Sequence, residues 1–242
     1  MKGSAKYRRR PIRETIEELV DGFGKRYSTE LGITLEGSKT DEVFKWFLAS
    51  ILFGARISEK TASKTYLKFI ENNLKTPESV LRAGWDRLVE VLDSGGYARY
   101  DFKTATKLLE VMHNLKNMYG GDLNLLHGEA TGPRDLELKI KELGKGIGDV
   151  TVSIFLRELR GIWDKADPQP QDLAMEAARR LGFTKGKVTE ESDRIEVLEE
   201  LKTLWSRNRV EGRGFIDFET ALVRYGKDVL KKRKSSKSSS RG

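Results

Sequence analysis

The stretch that decides the reading spans residues 141–172, KELGKGIGDVTVSIFLRELRGIWDKADPQPQD. A helical pattern ends at Leu143, three glycines follow at Gly144, Gly146 and Gly148, and a second apolar pattern begins at once. Glycine at such a turn permits positive φ and the close approach of another backbone. The run DVTVSIF is rich in β-branched residues, but its apolar spacing and the continuation LRELRG fit a helix better than a strand. The expectation is two helices joined by a glycine turn. Free N–H groups and the dipole at the start of the second helix form an anion site suited to one DNA phosphate, and Lys145 adds a neighbouring positive charge. The plainer reading of the same residues is an ordinary tight connection between helices.

Outward from this segment, helical periodicity dominates. Ile16, Leu19, Val20 and Phe23 share one face of a helix that starts near Pro11. DEVFKWFLASILFG, from Asp41, is apolar on nearly all sides and reads as a buried central helix. Ser58 is placed to N-cap a helix with Ala62, Tyr66 and Phe69 inward, and Thr76-Pro77-Glu78 is a further start signal for short helices through Leu92. Helices are also expected from Asp101 to the paired glycines at 120–121, from Pro133, and over 172–181, 190–207 and 216–232. No strand alternation of useful length appears, so the fold class is all-α.

Composition narrows the function. The 242 residues carry a formal net charge of +8, which favours a polyanionic partner. Part of that excess sits in a Ser/Lys tail at 233–242, expected to be disordered; a solubilising end and a DNA-binding arm are both open readings. The absence of cysteine excludes disulfides, thiol catalysis and thiolate-bound metal, and His113 and His127 alone make a histidine metal site improbable. No run has the apolar length to span a bilayer, and the first residues lack a secretory h-region, so an intracellular protein without a membrane partner is expected.

At residues 144–172 the chain resembles the helix-hairpin-helix DNA glycosylase superfamily, which includes endonuclease III and the alkylated-base glycosylases. Their hairpin reads Leu-Pro-Gly-Val-Gly or similar and is followed by a helix and a loop with an essential aspartate; GKGIG, DVTVSIFLREL and an Asp-containing loop stand here in that order. FKWFLASILFGARISEKTASKTY is similar to the family's early helix pair, and LDSGGYARYDFKTATKLLEVM to its Gly-Leu-Tyr-Asn-Ser-Lys-Ala segment. FETALVRYGKDVL resembles the helix that leads to the family's iron–sulfur cluster, but Leu230 stands where the first cluster cysteine would fall. The resemblance covers roughly residues 40–230 and implies no cofactor here.

It further implies a two-lobed fold: residues 40–165 as a helical-barrel domain ending in the hairpin, and 1–39 with 166–232 as a second helical domain. The implied activity is base-excision repair, with excision of a flipped, damaged or mismatched base from double-stranded DNA by a monomeric enzyme. A carboxylate on the loop after the hairpin would stabilise the sugar cation and activate water. Asp172, in Pro170-Gln171-Asp172, is slightly favoured; Asp167 is the alternative, and the plainer roles are helix cap and turn residue. Bifunctional members carry a Schiff-base lysine where this chain has Val150, which points to a monofunctional enzyme. An abasic-site lyase using a displaced lysine such as Lys145, and a non-catalytic damaged-DNA-binding module, stay open. Gly144, Lys145, Gly146, Gly148, Arg56 and Arg99 are the candidate DNA contacts. Arg56 matches the family's void-filling position, and Arg99 belongs to an aromatic and basic cluster with Tyr97, Tyr100 and Lys103.

Overall fold

The computed structural model describes residues 10–184 and 191–231; the expected tail at 233–242 lies outside the described residues. Regular structure among the described residues is helical, apart from a single bridge between Arg160 and Trp163. The chain divides into two compact units, residues 28–168 and residues 1–27 with 169–242. No helix among the described residues is long and apolar enough to cross a membrane.

The smaller unit begins with α1 (Ile12–Phe23), whose buried face is Thr15, Ile16, Leu19 and Val20. A short turn of helix, α2 (Tyr27–Glu30), leads into the larger unit. There α3 (Thr40–Phe53) is buried continuously from Trp46 to Phe53. Trp46 Nε1 donates to Phe155 O at 2.9 Å, which satisfies the one polar atom of the largest side chain in this core. Helix α4 (Glu59–Glu71) is N-capped by Ser58, which accepts from the Thr61 N–H. Helix α5 (Pro77–Gly95) opens with a capping box on Thr76 and is broken at Gly84, whose φ is 74°.

Helix α6 (Asp101–Tyr119) ends on Gly120 in the left-handed region. Then come α7 (Leu123–Glu129), α8 (Pro133–Glu142) and α9 (Asp149–Leu159). The segment DVTVSIF is thus helical. Sequence reading puts residues 28–39 in the other unit and ends this one at 165; the chain divides at 27/28 and 168/169 instead. Hydrogen bonds give the reason. The Ser28 N–H donates to the buried Glu158 carboxylate at 3.0 Å, and Trp163 Nε1 donates to Ser38 Oγ at 2.9 Å.

The smaller unit gathers α10 (Asp172–Leu181), α11 (Glu191–Arg207) and α12 (Phe215–Tyr225) around α1. Trp205 and Phe218 stack at 5.5 Å in its core. Arg26 grips the Asp217 carboxylate at 2.8 and 3.2 Å, and the same carboxylate accepts the Gly214 N–H at 2.6 Å, which caps α12. Beyond α12 a π-helical turn, Gly226–Lys231, replaces the continuous helix expected to 232.

Candidate nucleic-acid interface

Helices α8 and α9 are joined by the expected glycine turn, and that turn is held down from beneath. Leu143 and Ile147 are buried. Gly144 is buried too, since a methyl group there would come within 2.7 Å of Val111 Cγ2 on α6. Asn114 Nδ2 donates to Leu143 O at 3.0 Å, Glu110 Oε1 accepts the Lys145 N–H at 3.1 Å, and the Ile147 N–H closes onto Gly144 O at 3.2 Å. Gly146 has φ +90°, a conformation that side chains resist. Gly148 is extended and N-caps α9 with no side-chain cap bond. Gly146, Gly148, Asp149 and Val150 are all exposed. The positive end of the α9 dipole therefore faces solvent.

Negative charge already stands at this turn, from Glu110 on the Lys145 N–H and from Asp149. Asp149 is the first residue of α9; its side chain is 90% exposed and its carboxylate pairs with Lys141 Nζ at 2.5 Å. Val150, the next residue, is an exposed apolar side chain.

The structure brings the Arg56 turn against the hairpin's second helix. A methyl group at Gly54 would overlap Thr151 Oγ1 of α9, so this close approach requires a glycine. Arg56 itself is exposed and makes no ion pair among the described residues. Arg99 is exposed in the loop between α5 and α6, with its guanidinium carbon 5.9 Å from the Tyr100 ring centroid. Tyr97, of the same sequence cluster, is instead a core residue: it is 1% exposed and its hydroxyl donates to Leu52 O at 3.1 Å. Burial pushes that phenol well above the ordinary tyrosine range, so it is neutral.

The two candidate carboxylates fall in different units. Asp167, near the end of the larger one, is ion-paired with Arg160. Asp172 is the first residue of α10 and follows the N-cap Gln171; its side chain is 82% exposed and pairs with Arg194 Nη2 at 2.6 Å. Arg194 Nη1 also donates to Pro170 O at 3.3 Å. Among the described residues no group of His, Asp and Glu side chains gathers as a metal site would.

Sequence reading misses Lys107. It lies on the face of α6 beneath the turn, and a methyl group at Gly146 would come within 3.1 Å of its Cδ. The spacing of Lys103 and Lys107, one helical turn apart, is legible, but the apposition of Lys107 to Gly146 is a tertiary fact.

No protein-family model matches the chain, and no curated protein matches it significantly.

Proposed function

We propose that this chain binds double-stranded DNA through the residue 144–148 turn and hydrolyses the N-glycosidic bond of a damaged or mismatched base, as a monofunctional helix-hairpin-helix glycosylase. The observation that carries the reading is the turn itself: two helices joined through Gly146 at φ +90°, with the second helix started by Gly148 without a side-chain cap. Backbone N–H groups at such a start donate to a phosphate without reading the bases. The net charge of +8 suits the same partner. The order of hairpin, helix and aspartate loop, similar to that of the glycosylases, supports the reaction.

In that reaction the target nucleotide leaves the stack, the bond from C1′ to the base breaks, and the base departs with the bonding electrons. Water then adds to C1′. A carboxylate stabilises the oxocarbenium-like sugar and takes the water's proton. Asp172 is the proposed carboxylate and Asp167 the alternative.

One observation favours a second reading, a damaged-DNA binder that releases no base: both aspartates are paired with arginines. A panel of duplexes carrying uracil, oxidised, deaminated or alkylated bases separates the two. Alkali-labile sites after incubation, with no borohydride-trapped adduct, are the expected result. Lesion binding without base release across the panel would leave the binder, and no binding to any duplex ends both readings.

A further inference from the structure

Lys107 is half-buried on α6, with its stem running along the hairpin turn. A methyl group at Gly146 would lie 3.1 Å from Lys107 Cδ and 3.9 Å from its Nζ, so the amine ends beside the turn. Among the described residues no acidic side chain pairs with it. The charged neighbour that acts on it is another cation, the exposed Lys103 one turn earlier, and burial and that neighbour both pull the Lys107 pKa down. The carboxylate one turn later, Glu110, is engaged with the Lys145 N–H at 3.1 Å. An ammonium group withdrawn from water next to a like charge is unfavourable until an anion meets it.

We propose that Lys107, with Lys103 beside it, is the side-chain contact for a backbone phosphate of DNA lying on the hairpin turn. The inference rests on the proposed DNA-binding reading and replaces Lys145 as the principal charge of that contact. It also gives Gly146 a second role, because any side chain there would displace the Lys107 stem as well as strain the backbone.

The test is binding of an undamaged duplex, followed by fluorescence anisotropy over a potassium chloride series. It compares wild type, Lys107→Met, Lys107→Arg and Lys116→Met. Lys116 is exposed near the other end of α6, so its variant carries the same charge change without the contact. One lost phosphate contact lowers the log–log salt slope by about one unit, and Lys107→Met is expected to show that loss with roughly three- to tenfold weaker binding at low salt. Lys107→Arg should keep the slope, and Lys116→Met should stay near wild type.

Wild-type protein gives an independent reading that needs no variant to fold: the bound duplex should shield Lys107, and not Lys116, from acetylation. If wild type binds while Lys107→Met keeps its affinity and slope, or if Lys107 is labelled equally with and without duplex, the inference is overturned and the proposed function stands. If wild type binds no duplex, both fall together.

Discussion

Arg160 is ion-paired with Asp167 through Nη1, while its Nη2 donates to the Pro168 carbonyl at 2.9 Å. One guanidinium thus fixes two consecutive residues of the loop after α9. The Arg160 side chain is 10% exposed and that of Asp167 37%, so the pair is partly withdrawn from water. A carboxylate held in this way is first a clamp for its loop. The pair of Asp172 with Arg194 differs, because Asp172 is 82% exposed and a solvated pair of this kind contributes little and separates easily. Of the two, Asp172 is the carboxylate more readily released for chemistry.

Removing the clamp should cost stability. Arg160→Met removes the ion pair with Asp167 and the donation to the Pro168 carbonyl, and a loss of about 2 kcal/mol is expected for a partly buried charge-assisted pair. Urea denaturation measures it. A midpoint unchanged from wild type would mean that the loop is held by its other contacts.

The opposite electrostatic change is expected at the hairpin. The Asp149 carboxylate sits at the positive end of the α9 dipole, where it stabilises the helix but repels an approaching phosphate. Asp149→Asn should tighten duplex binding about two- to fivefold and slightly lower the melting temperature. Weaker binding would place the phosphates away from the start of α9.

Close packing sets a third expectation. A methyl group at Gly95 would fall 2.5 Å from Thr65 Cα, where α5 meets α4, so there is no flexible side-chain end to move aside. Gly95→Ala should destabilise by about 3 kcal/mol. Gly128, within α7, has nothing within 4 Å, so Gly128→Ala should be neutral or stabilising by about 0.5–1 kcal/mol. Comparable melting temperatures for the two variants would contradict the packing at Gly95.

The features legible in the sequence were those with local causes. Ser58 and the Thr76-Pro77 pair carry their own capping chemistry, and the unbroken apolar run from Trp46 has few alternatives to a buried helix. The short helix Leu123–Glu129 was harder, because seven residues cannot display a periodic face; its readable signal was Asp122, which accepts the Asn124 N–H at 2.8 Å. Tyr97 and Tyr100 are neighbours in a polar-looking loop, yet Tyr97 is in the core, and nothing local decides that. In the sequence Lys107 is indistinguishable from any surface lysine, and only the fold sets Gly146 against its stem. The competition between Asp167 and Asp172 is likewise invisible in spacing, because the chain passes from one unit to the other between them.

The remaining prediction decides whether the proposed chemistry exists. If Asp172 stabilises the sugar cation, Asp172→Asn should release no base while still binding duplex, because the proposed phosphate contacts lie on the hairpin and α6. With the extruded nucleotide bound over Asp172 and water excluded, loss of its charge should cost a few kcal/mol of barrier, or about two to three orders of magnitude in rate. The Asp172 pair with Arg194 is exposed, so this variant should melt close to wild type and its inactivity should not reflect unfolding. Asp167→Asn should behave differently, with lower stability from the loosened Arg160 contact and a much smaller loss of base release. Single-turnover excision on whichever lesion the panel identifies, read beside duplex affinity and melting temperature, separates these outcomes. Excision lost in Asp167→Asn and kept in Asp172→Asn would transfer the catalytic role to Asp167, and normal excision by both variants would falsify the carboxylate mechanism.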